Sequence, residues 1–453
     1  MLRTSLVVMV VVAACGDDGV RHIPDAPPTS GGSDASVPGG DAPPPSPVTL
    51  TATAGGVPIA GLTVYFQGSD STLFTTAMTD ASGNATGSVG DDSGFVTVID
   101  PGPPAAAAPV PDLVAIWASQ PGDHILVDLG ASTPISFNVI IPVTGIATYV
   151  VSTTCGSGQV NIMAGAAAPP PTATVAVSSA RGCIGPQDVL VVQEDAKLQP
   201  VGSFAVANQT FTSGGTADYH VQTYTAAVAR TYTWNDDNDA ATVAMVDALQ
   251  SAHGVVYHST SVNVGGTPPT VMRDAPAFGT LQDVVEATVV IGNTQHVLDE
   301  WGQGATYATD WGAHRLPDIT SATYDVTSKQ ASMSTTGGTV SANLYEALIR
   351  ASRPSDEHTW ELLVLSNTAP IQLPTLPTTI YDWNVAATDT TQLSLAMVDV
   401  PGDPSLARQT LFGPLGMVGL ETGASGTVSV ASYQPPVPAI VPATRSRLPF
   451  LPR

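Results

Sequence analysis

The sequence predicts an all-β protein made of several tandem β-sandwich domains, and three observations carry this prediction. Hydrophobic residues make up 43% of the 453 residues and charged residues only 11%. Glycine (42) and proline (39) are frequent, which is typical of a chain with many turns. Many stretches alternate apolar residues with Thr or Ser, the period of two that turns one face of a strand inward. The length exceeds what one hydrophobic core usually organises, so we expect several domains.

Residues 1–14 have the pattern of a secretory signal peptide. Arg3 supplies a positive charge, Leu6 to Ala14 form an apolar segment, and small residues precede Cys15. The apolar segment is too short to span a bilayer, which takes about 20 residues in a helix. The segment is therefore predicted to be a signal and not an anchor.

The run Val12-Ala13-Ala14-Cys15 resembles the bacterial lipobox. The resemblance implies that a signal peptidase cuts before Cys15 after its thiol has been diacylated, and that the new amino group then receives an acyl chain such as palmitate. Several acyl chains anchor a protein stably, whereas one does so marginally. Gly16 stands where an aspartate would signal retention in the inner membrane, so the resemblance implies sorting to the outer membrane of a Gram-negative cell.

Two segments are predicted to lack a packed core. Residues 15–47 are rich in Pro, Gly, Ser and Asp, which bury too little surface to offset the entropy of ordering, so we expect a disordered tether. Residues 433–453 form a proline-rich tail. No later segment has about 18 consecutive apolar residues, so the sequence predicts no membrane-spanning helix.

The first predicted domain covers residues 48–130. It contains the alternating strand around Leu50, the run GVPIAGLTVYF from Gly56 to Phe66, and the turn TDASGNA from Thr79 to Ala85. These elements resemble the carboxypeptidase-regulatory-like and bacterial immunoglobulin-like modules. The resemblance implies an immunoglobulin-like sandwich, closed by strands at Leu113 to Trp117 and His124 to Leu129, with a structural or adhesive role and no catalytic residues.

The second predicted domain, residues 131–233, contains Cys155 and Cys183. In an exported protein, two cysteines within one predicted domain favour a disulfide over a metal site or a nucleophile. In the chain-entropy model, closing this loop stabilises the domain by about 3 kcal/mol. We therefore predict a small β-sandwich held by a Cys155–Cys183 bridge.

Two further β domains are predicted, at residues 234–312 and 313–432. Residues 240–253 are compatible with one amphipathic helix, but the run from Val255 to Val264 favours strands. In the last domain the alternation around Trp360 indicates a strand, and prolines 374 and 377 then interrupt pairing. The arrangement after residue 47 is similar to that of predicted lipoproteins of Gram-negative bacteria with GC-rich genomes, which implies architecture and no activity.

Three groups of residues invite a chemical interpretation. His358 and Glu361 match the H-x-x-E pair of zinc carboxypeptidases, but no histidine follows His358, and residues three apart on a strand point to opposite faces. Clustered oxygen ligands at Asp236, Asp237 and Asp239 are weak calcium candidates, and the spacing differs from that of an EF-hand, so a solvated turn is the first interpretation. Three titratable residues near a turn are expected to lie on the surface: His296, Asp299 and Glu300.

Net charge, motifs and tryptophan content restrict the classes of function that the sequence allows. The net charge of -24 repels nucleic acids, and the scattered acidic residues indicate a solvated surface. No nucleophile-elbow, HExxH, Walker or dinucleotide-binding motif occurs, so the sequence favours a protein that is not an enzyme and predicts no cofactor. Six tryptophans offer stacking faces for sugars, although in sandwiches an isolated tryptophan more often lies in the core: Trp117, Trp234, Trp301, Trp311, Trp360 and Trp383.

We therefore expect a protein tethered to the outer membrane that has a binding, adhesive or structural role at the cell envelope, with the membrane as one partner and a glycan or protein as ligand. A binding module predicts an exposed aromatic or acidic patch. The first alternative is an envelope hydrolase for polysaccharide or peptide, which predicts a concave site with paired carboxylates or a histidine beside a carboxylate. The second alternative is a purely structural protein, which predicts neither patch nor pocket.

Overall fold

The described part of the protein is almost entirely β-structure, so the predicted fold class is confirmed: it contains 31 strands and one helix of four residues. The computed structural model describes residues 46–54, 57–90, 92–100, 112–129, 135–145, 147–163, 169–179, 185–235, 243–251, 254–257, 262–264, 270–276, 282–302, 306–354, 359–378, 381–400, 402 and 426–433. The predicted signal peptide, Cys15, the tether up to residue 45 and the tail from residue 434 lie outside these ranges.

The elements follow the alternating segments of the sequence. The first group is β1 (Val48–Ala54), β2 (Val57–Pro58), β3 (Thr63–Gly68), β4 (Leu73–Met78), β5 (Asn84–Gly87), β6 (Gly94–Asp100), β7 (Asp112–Ser119) and β8 (His124–Asp128). The second group is β9 (Ile135–Pro142), β10 (Thr148–Thr153), β11 (Ser157–Asn161), β12 (Thr172–Ser179), β13 (Gln187–Glu194), β14 (Pro200–Gln209), β15 (Thr216–Asp218), β16 (Thr225–Ala226) and β17 (Val228–Asn235).

The C-terminal half continues in the same way. The third group is β18 (Val243–Ser251), β19 (Gly254–Tyr257), β20 (Val262–Val264), β21 (Thr270–Ala275), β22 (Gln282–Ile291), β23 (Thr294–Gly302), β24 (Thr306–Asp310) and the helix α1 (Trp311–His314). The last group is β25 (Asp318–Asp325), β26 (Gln330–Thr336), β27 (Leu344–Ser352), β28 (Thr359–Ser366), β29 (Ile371–Gln372), β30 (Thr390–Asp399) and β31 (Gly426–Tyr433).

One sheet of 13 strands organises most of the structure. Its strand order is β19-β18-β22-β23-β31-β30-β27-β28-β7-β6-β3-β4, with β20 beside β18. It takes strands from the predicted domains 48–130, 234–312 and 313–432. β28 pairs in parallel with β7 over the register from Trp360↔Asp112 to Leu365↔Trp117, and β23 pairs with β31. These three segments therefore share one sheet.

Both faces of this sheet are packed. On one face, the four-stranded sheet of β2, β1, β5 and β8 contributes buried side chains such as Leu50 and Ile125 to a core that also includes Trp117, Leu365 and Val430. On the opposite face, the three-stranded sheet β25-β26-β29 contributes to a second core around Trp360. Alternation along each strand supplies both cores, since successive side chains point to opposite faces.

The second predicted domain corresponds to an eight-stranded sheet with its own core. Its order is β15-β9-β12-β11-β10-β13-β14-β16. All buried members of its core come from Phe137 to Tyr219, with Phe137 stacked on Phe211 at 4.0 Å between ring centroids. A separate three-stranded sheet, β21-β17-β24, follows.

The segment with two interpretations is a strand. Val243–Ser251 form β18, which pairs with β19, β20 and, over seven residues, with β22. Tertiary pairing thus overrides the helix propensity of its Ala, Met and Leu residues. Within the described ranges the sole helix is α1, capped by Asp310, whose side chain accepts a hydrogen bond from the backbone N–H of Ala313. No helix in these ranges is long and apolar enough to cross a membrane.

Candidate functional site

A histidine beside a carboxylate lies between β23 and β25. The Nε2 atom of His296 is 2.7 Å from the Oδ1 atom of Asp318, and the His296 side chain is 1% exposed. The pair forms because His296 projects from the face of β23 that β25 covers. Its backbone partner Ala431 on β31 is buried in the same small core as Ile319 of β25.

The surroundings hold this pair in one orientation. Arg315 donates from Nη2 to the Oδ2 atom of Asp318 at 2.9 Å. The ring of Trp311 meets that of His296 edge to face, with 5.2 Å between centroids. Thr294 adds a further tie between the strands, since its hydroxyl accepts from the Ile319 N–H at 2.9 Å and donates to the Ile319 carbonyl at 3.1 Å.

The geometry of the His296–Asp318 pair fits a structural contact between strands better than a catalytic pair. A carboxylate that orients a histidine supports acid–base catalysis when the ring also reaches a substrate. The His296 ring is buried between β25 and the helix α1, so its contacts attach these elements to the large sheet.

The prediction that His296 and Asp299 lie on the surface is wrong. His296 is 1% exposed and Asp299 is 4% exposed, because the turn at residues 292 and 293 is tight and the strand after it enters the sheet centre, between β22 and β31. Glu300 is half-buried and accepts a hydrogen bond from the Thr309 hydroxyl at 2.6 Å. Asp299 lies on the opposite face of β23 from His296 and Glu300, so the three do not form one site.

A second cluster of polar and aromatic side chains, around Arg353, binds the segment that follows β29. Arg353 donates from Nε and Nη2 to the two carboxylate oxygens of Asp389, at 3.0 Å each, and lies over Trp360 at 4.8 Å and Tyr381 at 5.5 Å. Burial alone raises the pKa of Asp389, but the hydrogen bond from Arg353, the N–H of Ala386 and the charge of Arg353 outweigh it and lower this pKa overall. The cluster is a buried ion pair that holds a loop.

The metal candidates receive no support from the described ranges. Asp236, Asp237 and Asp239 lie outside them, as does His358. Glu361 is in the central strand β28 and accepts from Nε of Arg350 at 2.8 Å. In the part of the chain that the structure describes, no three His, Cys, Asp or Glu residues group as metal ligands.

Of the cysteines, one is described. Cys155 is disulfide-bonded, and its sulfur lies 3.3 Å from the hydroxyl of Thr153, the last residue of β10. Cys15 and Cys183 lie outside the described residues, so lipidation and the Cys155–Cys183 pairing stay predictions.

Five tryptophan side chains are in the core and do not offer stacking faces for sugars. Trp117, Trp301, Trp311 and Trp360 are each at most 1% exposed and Trp383 is 7% exposed. The backbone of Trp234 lies in β17, and its side chain is not described. The core interpretation is thus confirmed at five positions.

The edge strand β4 (Leu73–Met78) has an unusual surface that the sequence analysis missed. It ends the 13-stranded sheet, and three of its six side chains are exposed apolar ones: Leu73 at 44%, Phe74 at 52% and Met78 at 65%. Its sequence LFTTAM contains no charge and no proline, two features that usually protect a sheet edge, although its pairing with β3 has a register shift between Phe66 and Gln67. Exposed, uncharged apolar residues on an edge strand make β4 a candidate site for the addition of a further strand.

Glu346 was also missed. It is the third residue of β27 and is buried, and the apolar residues around it make the segment look like an ordinary strand. A single acidic residue at an inward-facing position of such a run is the signal that identifies it.

Comparisons with known proteins add little. No known protein family matches the sequence, and no curated protein does. Among solved structures, the Bacillus anthracis TIE protein is similar at 9% sequence identity and a TM-score of 0.15, over 59% of this chain and 50% of that one. The chain thus spans half the length of that protein, and a likeness of this size carries no argument about fold or function.

Proposed function

We propose that the protein is a lipid-anchored envelope protein of the outer membrane, and that it binds an extended segment of another polypeptide along β4. The single observation that carries the binding role is the exposed, uncharged and apolar edge at β4. The outer edge of β4 has no strand partner among the described residues. Backbone N–H and C=O groups at a sheet edge accept a further strand, and the side chains beside them select which one.

A polypeptide fits this edge better than a glycan or a second copy. Sugars stack on exposed aromatic faces, and Phe74 is the only aromatic one among the exposed large hydrophobic side chains in the described ranges. A second copy brings a further net charge of -24, which opposes close approach. The fitting partner is an extended segment with apolar residues that meet the exposed side chains of Leu73, Phe74 and Met78.

The test of binding is site-specific photo-crosslinking in cells. A photoreactive residue at position 74 is expected to capture a defined partner, identified by mass spectrometry. The double variant Leu73→Lys, Met78→Lys, made with the photoreactive residue still at position 74, is expected to reduce that adduct about tenfold, because charges on an edge strand oppose strand addition.

The matched control is position 290. Val290 is 56% exposed but lies on β22, an interior strand of the large sheet between β18 and β23, and it pairs with Gln295 of β23, so a photoreactive residue there is expected to give no such adduct. Equal capture at both positions, or capture of a second copy of this chain, would contradict the binding proposal.

The anchor is a separate part of the proposal and rests on the lipobox residues. Wild-type protein is expected to incorporate labelled palmitate and to fractionate with the outer membrane. Cys15→Ser is expected to lose both properties, whereas Cys155→Ser keeps the label. A Cys15→Ser protein that still carries label and stays with membranes would overturn the anchor.

An envelope hydrolase is the second candidate function. Such an enzyme is expected to have a histidine beside a carboxylate, and His296 lies beside Asp318. Burial of His296 argues against it. Hydrolysis of peptidoglycan or casein that His296→Gln abolishes, with the folded state kept, would favour this candidate over the binding role.

A further inference from the structure

Glu346 is a carboxylic acid in an apolar core. It is the third residue of β27 and is 1% exposed. Its neighbours along the strand on the same face are Leu344 and Leu348, and its partners across the strand are Leu365 on β28 and Ala396 on β30. All four neighbours belong to the core that the large sheet shares with the four-stranded sheet.

Both carboxyl oxygens lack a hydrogen-bond partner in the part of the chain that the structure describes. On this face of β27 and β28 the charged residues are Arg350 and Glu361, and they bind each other at 2.8 Å. Asp299 is on the same face three strands away and four positions out of register. Burial raises the pKa of Glu346 to about 8, so at neutral pH the carboxyl carries a proton.

Among the described residues, the other elements packed near Glu346 offer no further charge. On β28, β30 and β7, the side chains that share its face next to its row are neutral: Leu363, Leu365, Ser394, Ala396, Val398, Ala115 and Trp117. From the opposing four-stranded sheet, the buried members of this core are apolar: Val48, Leu50, Ala52, Ala85, Ile125 and Val127.

Because of its position in the sheet, a charge on Glu346 would disturb the packing of a junction between strands. The row of paired residues through Glu346 continues to Leu365 and then to Trp117, across the parallel junction of β28 with β7. This junction is where strands from residues 63–119 meet strands from residues 344–433 in one sheet. A negative charge in this row has to be hydrated, and water reaches it only if the packing around the junction opens.

We propose that Glu346 makes the β27–β28–β7 junction sensitive to protons: the junction is closed while this carboxyl is protonated and opens locally when the proton leaves. This property is independent of binding at β4 and of the lipid anchor. The junction is then most stable at mildly acidic pH and looser at alkaline pH.

The direction follows from proton linkage. In the unfolded chain the Glu346 carboxyl titrates near 4.5, and in the folded protein near 8. Since the folded state holds this proton over that interval, its contribution to stability is complete below the lower value and falls as pH rises toward the upper one. Over the interval, the unfolding constant of the junction rises by up to about tenfold per pH unit.

The test is hydrogen–deuterium exchange on the full mature chain in detergent from pH 5 to pH 9, with rates corrected for the intrinsic effect of pH. In wild type, protection of peptides from β27, β28 and β7 is expected to fall as pH rises, while β10 and β13 keep theirs. Glu346→Gln is expected to give a flat profile. Glu361→Gln removes a different carboxylate from the same face and is expected to keep the wild-type profile.

Glu346→Leu provides a second measurement if the glutamine variant does not fold, because leucine fills an apolar site without titrating. It is expected to give a flat profile with protection at pH 9 above that of wild type. Parallel pH profiles in wild type and in the folded Glu346 variant would overturn the proposal.

Discussion

Arg353 is expected to contribute strongly to stability in a protein with few charged residues. Its guanidinium makes a two-point ion pair with Asp389, whose side chain is 0% exposed, and covers the ring of Trp360. Arg353→Ala leaves a buried carboxylate without its cation. We expect a loss of about 3 kcal/mol in the free energy of unfolding, measured by urea denaturation.

The pH dependence of this pair provides an internal check. The pKa of Asp389 is lowered in the folded state, so the pair stabilises the protein above the usual titration range of aspartate and this stabilisation is lost as pH falls. Arg353→Ala is expected to flatten the acid limb of the stability curve. Stability within about 0.5 kcal/mol of wild type would show that solvent replaces the arginine.

For single residues, the sequence indicates which side chains are buried better than it indicates which side chains they contact. Tryptophans in alternating segments were expected in the core, and five of them are there. The His296–Asp318 contact was not predictable, since the two residues are 22 positions apart on strands that belong to different sheets. Their proximity depends on how β25 crosses the large sheet, and no local pattern encodes that crossing.

At the scale of elements, strands were predictable and their pairing was not. Alternation at Leu50 and around Trp360 is a local property, and both segments are strands. The parallel pairing of β28 with β7 joins segments about 250 residues apart, and it depends on two edges with matching apolar faces. The edge character of β4 follows from this same arrangement, because an edge is defined only once every other strand has found its neighbour.

Gly426 tests the packing of one such element. It begins β31 opposite Trp301, and a Cβ atom there would lie 2.3 Å from Cζ2 of that buried ring. Gly426→Ala is therefore expected to lower the free energy of unfolding by about 1–3 kcal/mol through overpacking. Gly145 is the control, because a Cβ atom added there would have no other atom within 4 Å. If Gly145→Ala and Gly426→Ala change thermal stability equally, steric contact with Trp301 is not the cause.

At the scale of the whole molecule, the cores divide the chain differently from its sequence segments. The core beside the four-stranded sheet includes Val48 at one end of the chain and Val430 at the other, so strands far apart in sequence stabilise one another. The fully buried side chains in the core of the eight-stranded sheet come from residues 137–219. The length of the chain predicted several domains, but only the pattern of pairing reveals that three predicted segments share a sheet.

This division predicts two unfolding transitions. Because each core is internally connected, a local change is expected to affect every strand around its own core and few around the other. Cys155→Ser removes the disulfide next to β10 and is expected to destabilise the eight-stranded sheet by about 3 kcal/mol. Gly426→Ala is expected to lower the stability of β3, β6 and β7 together with that of β31, although these strands lie more than 300 residues before it.

Hydrogen–deuterium exchange at increasing urea concentration measures both transitions in one sample. The expected result is reciprocal: Cys155→Ser shifts the urea midpoint of peptides from β9 to β14 and leaves those from β27 to β31, whereas Gly426→Ala does the reverse. A shift of all peptides by either substitution would mean that the two cores unfold as one unit. A shift of β31 without β3 would mean that the junction of β28 with β7 does not transmit stability along the sheet.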